Sequence, residues 1–274
     1  MMRVAATAAL VLVGAGRLLA QAPTIEPVRT DTLAHPDDAS KRIEIYWTKP
    51  AGEGPWPVLL MVHGHQEPER PGAKAYVDSG SFERYASRGL LVAAVSQPGY
   101  GKSDGPPDFC GPRSQRAVIA AIDHFRKQPF VDAKRMALYG YSRGAVVASM
   151  VSSQVPDLAA VVLGGGIYDL KATYRRMARG IQRNIDQEAG KSDEAYRARS
   201  ALFHVDRIKS PTLVLHGERD DRASAESAKA FGAALEKTGT PVRVVIFPGV
   251  GHGIPPAEQT REWAPFLRQY LGIK

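Results

Sequence analysis

The chain has 274 residues, 44% of them hydrophobic, a single cysteine at Cys110 and a formal net charge of +8. That length and apolar content suit one domain with a substantial core, and a lone cysteine excludes an intrachain disulfide framework. A basic balance points only weakly to anionic partners, and no interleaved basic and aromatic patch suggests nucleic acid, so the charge reads as a soluble basic surface.

The first element in the chain is a leader. A short positive start, Met1-Met-Arg3, precedes a mostly apolar run from Val4 to Ala20, and Ala20-Gln-Ala22 resembles an A-x-A cleavage site. Residues 1–22 therefore read as a secretory signal peptide ahead of a domain over 23–274, and the expected location is a periplasm or the exterior. Arg17 interrupts the run, which is too short to predict a stable membrane anchor. A cut after Ala20 would remove Arg3 and Arg17 and no acid, taking +8 to +6.

Strand patterns follow at 25–32, 43–49 and 57–63, then a helix at 80–88 and a strand at 90–96. A helix at 113–127, a strand at 135–141, a helix at 143–154 and a strand at 158–164 continue the alternation. The last units are a strand at 212–216, a helix at 223–238, a strand at 242–247 and a helix at 258–271. Eight strands alternating with helices predict an α/β fold with a mostly parallel sheet covered on both faces. Between the sixth and seventh strands lies a long insertion. There Leu170, Tyr174, Met177, Ile181 and Ile185 recur at three- and four-residue steps, the period of one helix face. A second helical piece is expected over 193–203. The stripe reads as packing. Arg175, Arg176, Arg179 and Arg183 read as a solvated face, with attraction of an acidic substrate as the lesser alternative.

The chemistry centres on Gly140-Tyr141-Ser142-Arg143-Gly144, which follows an apolar strand and opens a small-residue helix. In that strand–turn–helix context, G-x-S-x-G presents a nucleophilic serine, and the glycines keep side chains out of a crowded turn. A serine needs a base, and the base needs an orienting carboxylate, in the chain order Ser, acid, His. His252, between two glycines after the last strand, is the base. Asp220, Asp221 and Glu218 all follow the strand ending at His216-Gly217, and Asp169 is a remote further choice; Asp220 is preferred. Strand ends are where open α/β sheets place ligands. Main-chain N–H groups of Arg143 and of His65, in the His63-Gly64-His65-Gln66 loop, are the expected oxyanion donors. His63 itself reads as a loop brace.

Three weaker signals lead nowhere. Gly101-Lys102-Ser103 lacks the earlier P-loop glycine, since Ser96 stands there. His63-x-His65 has no further ligand set for a metal. Gly164-Gly-Gly166 lacks dinucleotide spacing, so no cofactor is expected.

With Ser142, Asp220, His252 and the His63-Gly64 loop in this order, the chain resembles an α/β-hydrolase over nearly all of residues 25–274. Gly140–Gly144 and His216-Gly-Glu-Arg-Asp220-Asp221-Arg222 resemble the catalytic domain of prolyl oligopeptidase-type serine peptidases, and the dienelactone hydrolase-like esterases are close. That resemblance implies an eight-stranded α/β-hydrolase sheet, a helical cap at about 170–205 and Asp220 as the triad acid. It also implies a substrate-positioning role for Arg222, with Tyr141 as a neighbouring substrate contact. No β-propeller pattern is present, and Val95–Gly105 resembles the matching loop of esterases. The expected activity is accordingly hydrolysis of a carboxylic ester. The alternative is a peptidase acting on short peptides, and a non-catalytic binding member of the fold is the remote one. Oligomeric state is not readable from these residues.

Overall fold

The computed structural model describes residues 24–273, so the expected signal peptide lies outside the described residues. The strands are β1 (Arg29–His35), β2 (Asp38–Thr48), β3 (Trp56–Val62), β4 (Leu91–Val95), β5 (Val131–Tyr141), β6 (Ala160–Gly164), β7 (Thr212–Gly217) and β8 (Val242–Phe247). They form one sheet in the order β1-β2-β4-β3-β5-β6-β7-β8. β1–β2 and β2–β4 pair antiparallel, and every later neighbour pairs parallel. β4 and β6 are buried along their whole length, as the continuous apolar runs of a sheet covered on both faces require.

On one face, α3 (Pro112–Arg126), α4 (Arg143–Ser152) and α8 (Ala225–Lys237) pack with Phe125, Val147 and Phe231 fully buried. On the other, α2 (Ser81–Ala86) and α9 (Pro256–Leu271) contribute Phe82, Tyr85, Trp263 and Leu267. Each fully buried large apolar side chain is worth about 2 kcal/mol, so the two layers together fix the sheet whose C-terminal edge carries the site.

The insertion between β6 and β7 holds α5 (Leu170–Tyr174), α6 (Arg179–Glu188), α7 (Asp193–Arg197) and a 3₁₀ segment (Ala201–Arg207). The apolar stripe does pack inward: Leu170, Met177 and Ile185 are buried, and Tyr174 and Ile181 lean on the same core. The stripe is divided between two helices, because Ala178 is extended (φ −56°, ψ 144°). At the neck, the Leu202 N–H donates to the Tyr168 carbonyl (3.0 Å) and the Leu170 N–H to Ser200 Oγ (2.9 Å). Tyr168 stacks on Phe231 of α8 with centroids 4.3 Å apart.

Candidate active site

The crowding at the end of β5 explains the sequence of the turn. A Cβ on Gly140 would lie 2.1 Å from the Gly144 carbonyl oxygen, and one on Gly144 would lie 2.0 Å from that of Val62. Neither position can carry a side chain without moving the strand or the helix. Ser142 between them is held at φ 55°, ψ −121°, outside the regions an L-residue prefers, and its N–H donates to the Gly164 carbonyl (2.7 Å). Strain of this kind persists only where the surroundings over-determine it. It lifts Ser142 Oγ off the sheet edge at the N-terminus of α4.

His252 arrives on the loop between β8 and α9. Its Nε2 lies 2.9 Å from Ser142 Oγ, and its Nδ1 lies 2.8 Å from Asp220 Oδ2. The Asp220 side chain is wholly buried. Its Oδ1 accepts the N–H groups of Arg222 (2.9 Å) and Ala223 (3.0 Å). Burial pushes the Asp220 pKa up, but the hydrogen bonds from His252 and those two amides outweigh it, so the carboxyl lies below its ordinary range. The rival acids go elsewhere. Glu218 accepts the Gly249 N–H, Asp169 caps α5, and Asp221 is exposed.

Gly64 lies against Ser142: a Cβ there would be 3.2 Å from Ser142 Cβ. Among the described residues, the N–H groups of neither His65 nor Arg143 donate to a protein acceptor, which leaves both for a ligand oxygen. The His65 ring bonds the Tyr100 hydroxyl through Nδ1 (3.0 Å). Tyr141 also has a structural role beside the expected substrate contact. Its ring lines the cleft, but its hydroxyl donates to the His252 carbonyl and accepts the Ile254 N–H (2.9 Å), so it braces the loop that carries the imidazole.

His63 is the brace the sequence suggests. Its Nδ1–H donates to the Gly64 carbonyl (2.8 Å), and its Nε2 accepts the Gln97 N–H (3.0 Å). Burial pulls its pKa down from 6.5 to about 4. Between those values the unfolded chain binds a proton that the folded chain refuses, so stability is full above pH 6.5 and falls as the pH drops toward 4. The loss amounts to about 3 kcal/mol. Urea unfolding at several pH values checks this, and the slope should flatten in His63→Gln.

Two side chains at the site escaped sequence reasoning. His216 is wholly buried, donates through Nε2 to the Ala223 carbonyl (2.8 Å) and stands 3.3 Å from Asp220 Oδ2. Burial lowers its pKa, so a neutral ring backs the carboxylate. The four-residue step from His216 to Asp220 was the available signal. Glu188 of α6 pairs with the Arg143 guanidinium (2.9 Å), and nothing in its sequence neighbourhood marked it.

Two spaces meet at Ser142. A pocket of about 70 Å³ is walled by Phe109, Val146, Ile167 and Ile181. A cleft of about 540 Å³ opens on the other side toward α2 and α9. Arg222 borders both.

The model of the prolyl oligopeptidase family matches residues 110–273. Among curated proteins, the uncharacterized peptidase YtmA of Bacillus subtilis is 27% identical over 226 residues, covering 80% of this chain and 85% of that one. Dipeptidyl peptidase family member 6 of Caenorhabditis elegans is 33% identical over 238 residues, and the match covers 80% of this chain but 32% of the nematode protein. Among solved structures, Pyrococcus horikoshii acylaminoacyl peptidase superposes with a TM-score of 0.74 at 23% identity, covering 92% of this chain and 42% of that one. A Pyrococcus furiosus esterase gives 0.70 at 18% identity, covering 90% and 92%. At these identities the structural likenesses speak to the fold alone.

Proposed function

We propose, from the premise that this chain belongs to the prolyl oligopeptidase family, that it cleaves short peptides through an acyl-enzyme on Ser142. Membership makes the chain a serine hydrolase. The observation that carries the mechanism is the unbroken relay from Ser142 Oγ to His252 (2.9 Å) to Asp220 (2.8 Å).

His252 Nε2 takes the Ser142 proton as Oγ adds to the acyl carbon. The buried Asp220 holds Nδ1–H and stabilises the imidazolium. The N–H groups of Arg143 and His65 receive the oxyanion, where charge develops only as the carbonyl becomes tetrahedral. The imidazolium then protonates the leaving nitrogen, the C–N bond breaks, and water repeats the sequence on the acyl-enzyme. The small apolar pocket suits a compact side chain on the acyl portion.

A peptide outranks the ester expected from the sequence, because the family match and the names of the relatives point to peptidases. An ester would pass through the same acyl-enzyme and ranks second. Intact-mass analysis after fluorophosphonate treatment should show one adduct, absent in Ser142→Ala. No adduct on folded wild type would overturn the mechanism. Faster turnover of short acyl esters than of blocked dipeptides, each corrected for intrinsic reactivity, would reverse the substrate ranking.

A further inference from the structure

The larger cleft has a charge that the triad does not explain. Arg84 and Arg222 border it, and no Asp or Glu lines it among the described residues. Both arginines are exposed, and neither has a carboxylate within ion-pair distance among the described residues, whereas Arg70 nearby is neutralised by Glu67. Among the described residues the smaller pocket has no lining carboxylate either, and Glu188 behind it is already engaged by Arg143. A substrate ammonium would therefore meet guanidinium and find no counter-charge on either side of the nucleophile. A carboxylate would meet two unneutralised cations.

His252 lines both spaces, so the side of the scissile bond follows from their sizes. The leaving group must depart within reach of Nε2, which delivers its proton. The larger cleft is built from the chain that continues past His252: Pro256, Gln259, Thr260 and Trp263 all line it. The smaller pocket, about 70 Å³, is built from the start of α4, the turn after β6 and α6, and His252 lines it as well. With the acyl side chain in the smaller pocket, the larger cleft of about 540 Å³ receives the leaving group. Its aromatic wall, where Trp263 packs edge-on against Tyr85 and stacks on Tyr139, favours an apolar or aromatic body. Arg179 and Arg183 on α6 are exposed and without an acidic partner among the described residues, adding positive potential near the site.

Resting on the hydrolase reading above, we propose that the cleft between α2 and α9 is an anion-selecting leaving-group site: the preferred substrate releases a short fragment that carries a carboxylate on an apolar or aromatic body, such as a C-terminal amino acid with its free carboxylate. A peptide amide or a cationic leaving group is disfavoured.

The test uses two matched pairs on the full chain. N-acetyl-Ala-Phe is compared with its C-terminal amide, and 4-acetoxybenzoate with 4-acetoxybenzamide, each rate being divided by the rate of alkaline hydrolysis. The carboxylate member should have the higher kcat/KM by about 10-fold at low salt. The preference should shrink as salt screens it. Arg84→Gln should lower the acid-to-amide ratio several-fold, and Arg84→Lys should restore most of it. Equal rates within both pairs, with hydrolysis intact, would overturn the charge selection and leave the hydrolase reading standing. Selection within the ester pair without peptide cleavage would uphold the site and remove the peptidase reading. Hydrolysis of neither pair would remove both.

Discussion

Asp220→Asn should lower kcat by about 10⁴-fold while leaving the fold intact, the scale expected when a triad imidazole is held in the wrong tautomer. The reason lies in what the two carboxylate oxygens do. Oδ1 accepts two main-chain N–H groups, from Arg222 and Ala223, and Oδ2 faces His252 Nδ1. An asparagine has one acceptor oxygen and one NH₂ to distribute between these sides. Pointing NH₂ at the two amides would set donors against donors in a buried site, at about 1–3 kcal/mol for each unsatisfied group. The carbonyl therefore keeps the Oδ1 position, and NH₂ faces Nδ1. His252 must then accept at Nδ1 and carry its proton on Nε2, where it cannot receive one from Ser142. The readouts are single-turnover acylation on a blocked substrate and the imidazole ¹⁵N shifts. A variant within 10-fold of wild type would mean that Asp220 does not orient the base, and the relay as drawn would fail.

How much of this was legible depends on how local the causes are. The central strands announce themselves because burial on both faces demands unbroken apolar runs, as in β4 and β6. The elbow is legible because glycine is required at both ends of the turn, and His252 and Asp220 because they follow strands. The register of the sheet edge is not local. The sequence suggests the first two strands over 25–32 and 43–49, but β2 begins at Asp38 and β1 runs to His35, the two pairing antiparallel with Leu33 opposite Ile43. Asp38 to Arg42 are exposed, so they carry no apolar period; the hairpin pairing alone makes them a strand. β5 likewise starts at Val131 rather than 135, through an irregular pairing with Trp56. α1 (Lys74–Asp78) was missed because five residues give too little periodicity to read. At the site, the sequence could offer Tyr141 only as a neighbour of Ser142. That its hydroxyl secures a loop 111 residues later in the chain is a tertiary fact. Glu188 was hidden for the same reason.

Glu188→Ala carries the second large effect, because Glu188 ties the insertion to the nucleophile turn. One oxygen, Oε2, accepts both Arg143 Nη1 (2.9 Å) and the Phe109 N–H (3.0 Å). The two side chains of the ion pair are 10% and 14% exposed. Phe109 and Cys110 sit at φ 41° and 64°, a left-handed pair without glycine. Such a turn costs about 1–2 kcal/mol per residue and needs outside support. Arg199 supplies part of it by donating to the Asp108 and Phe109 carbonyls, and Glu188 supplies the rest. The Phe109 ring in turn carries the Arg143 guanidinium at 4.3 Å and walls the small pocket. Removing the carboxylate strands a guanidinium and an N–H together, so the expected loss is about 4 kcal/mol, as for a buried pair deprived of one partner. KM should rise for substrates whose acyl side chain fills the small pocket and change less for glycyl analogues, because the wall moves while the triad stays. Arg143→Met keeps the main-chain N–H at position 143 and removes the stranded charge, so the double variant should be more stable than Glu188→Ala alone. Urea denaturation of the wild type, both single variants and the double variant measures that coupling. If Glu188→Ala unfolds at the wild-type midpoint, or the double variant shows no recovery, the insertion is not held to the site through Arg143.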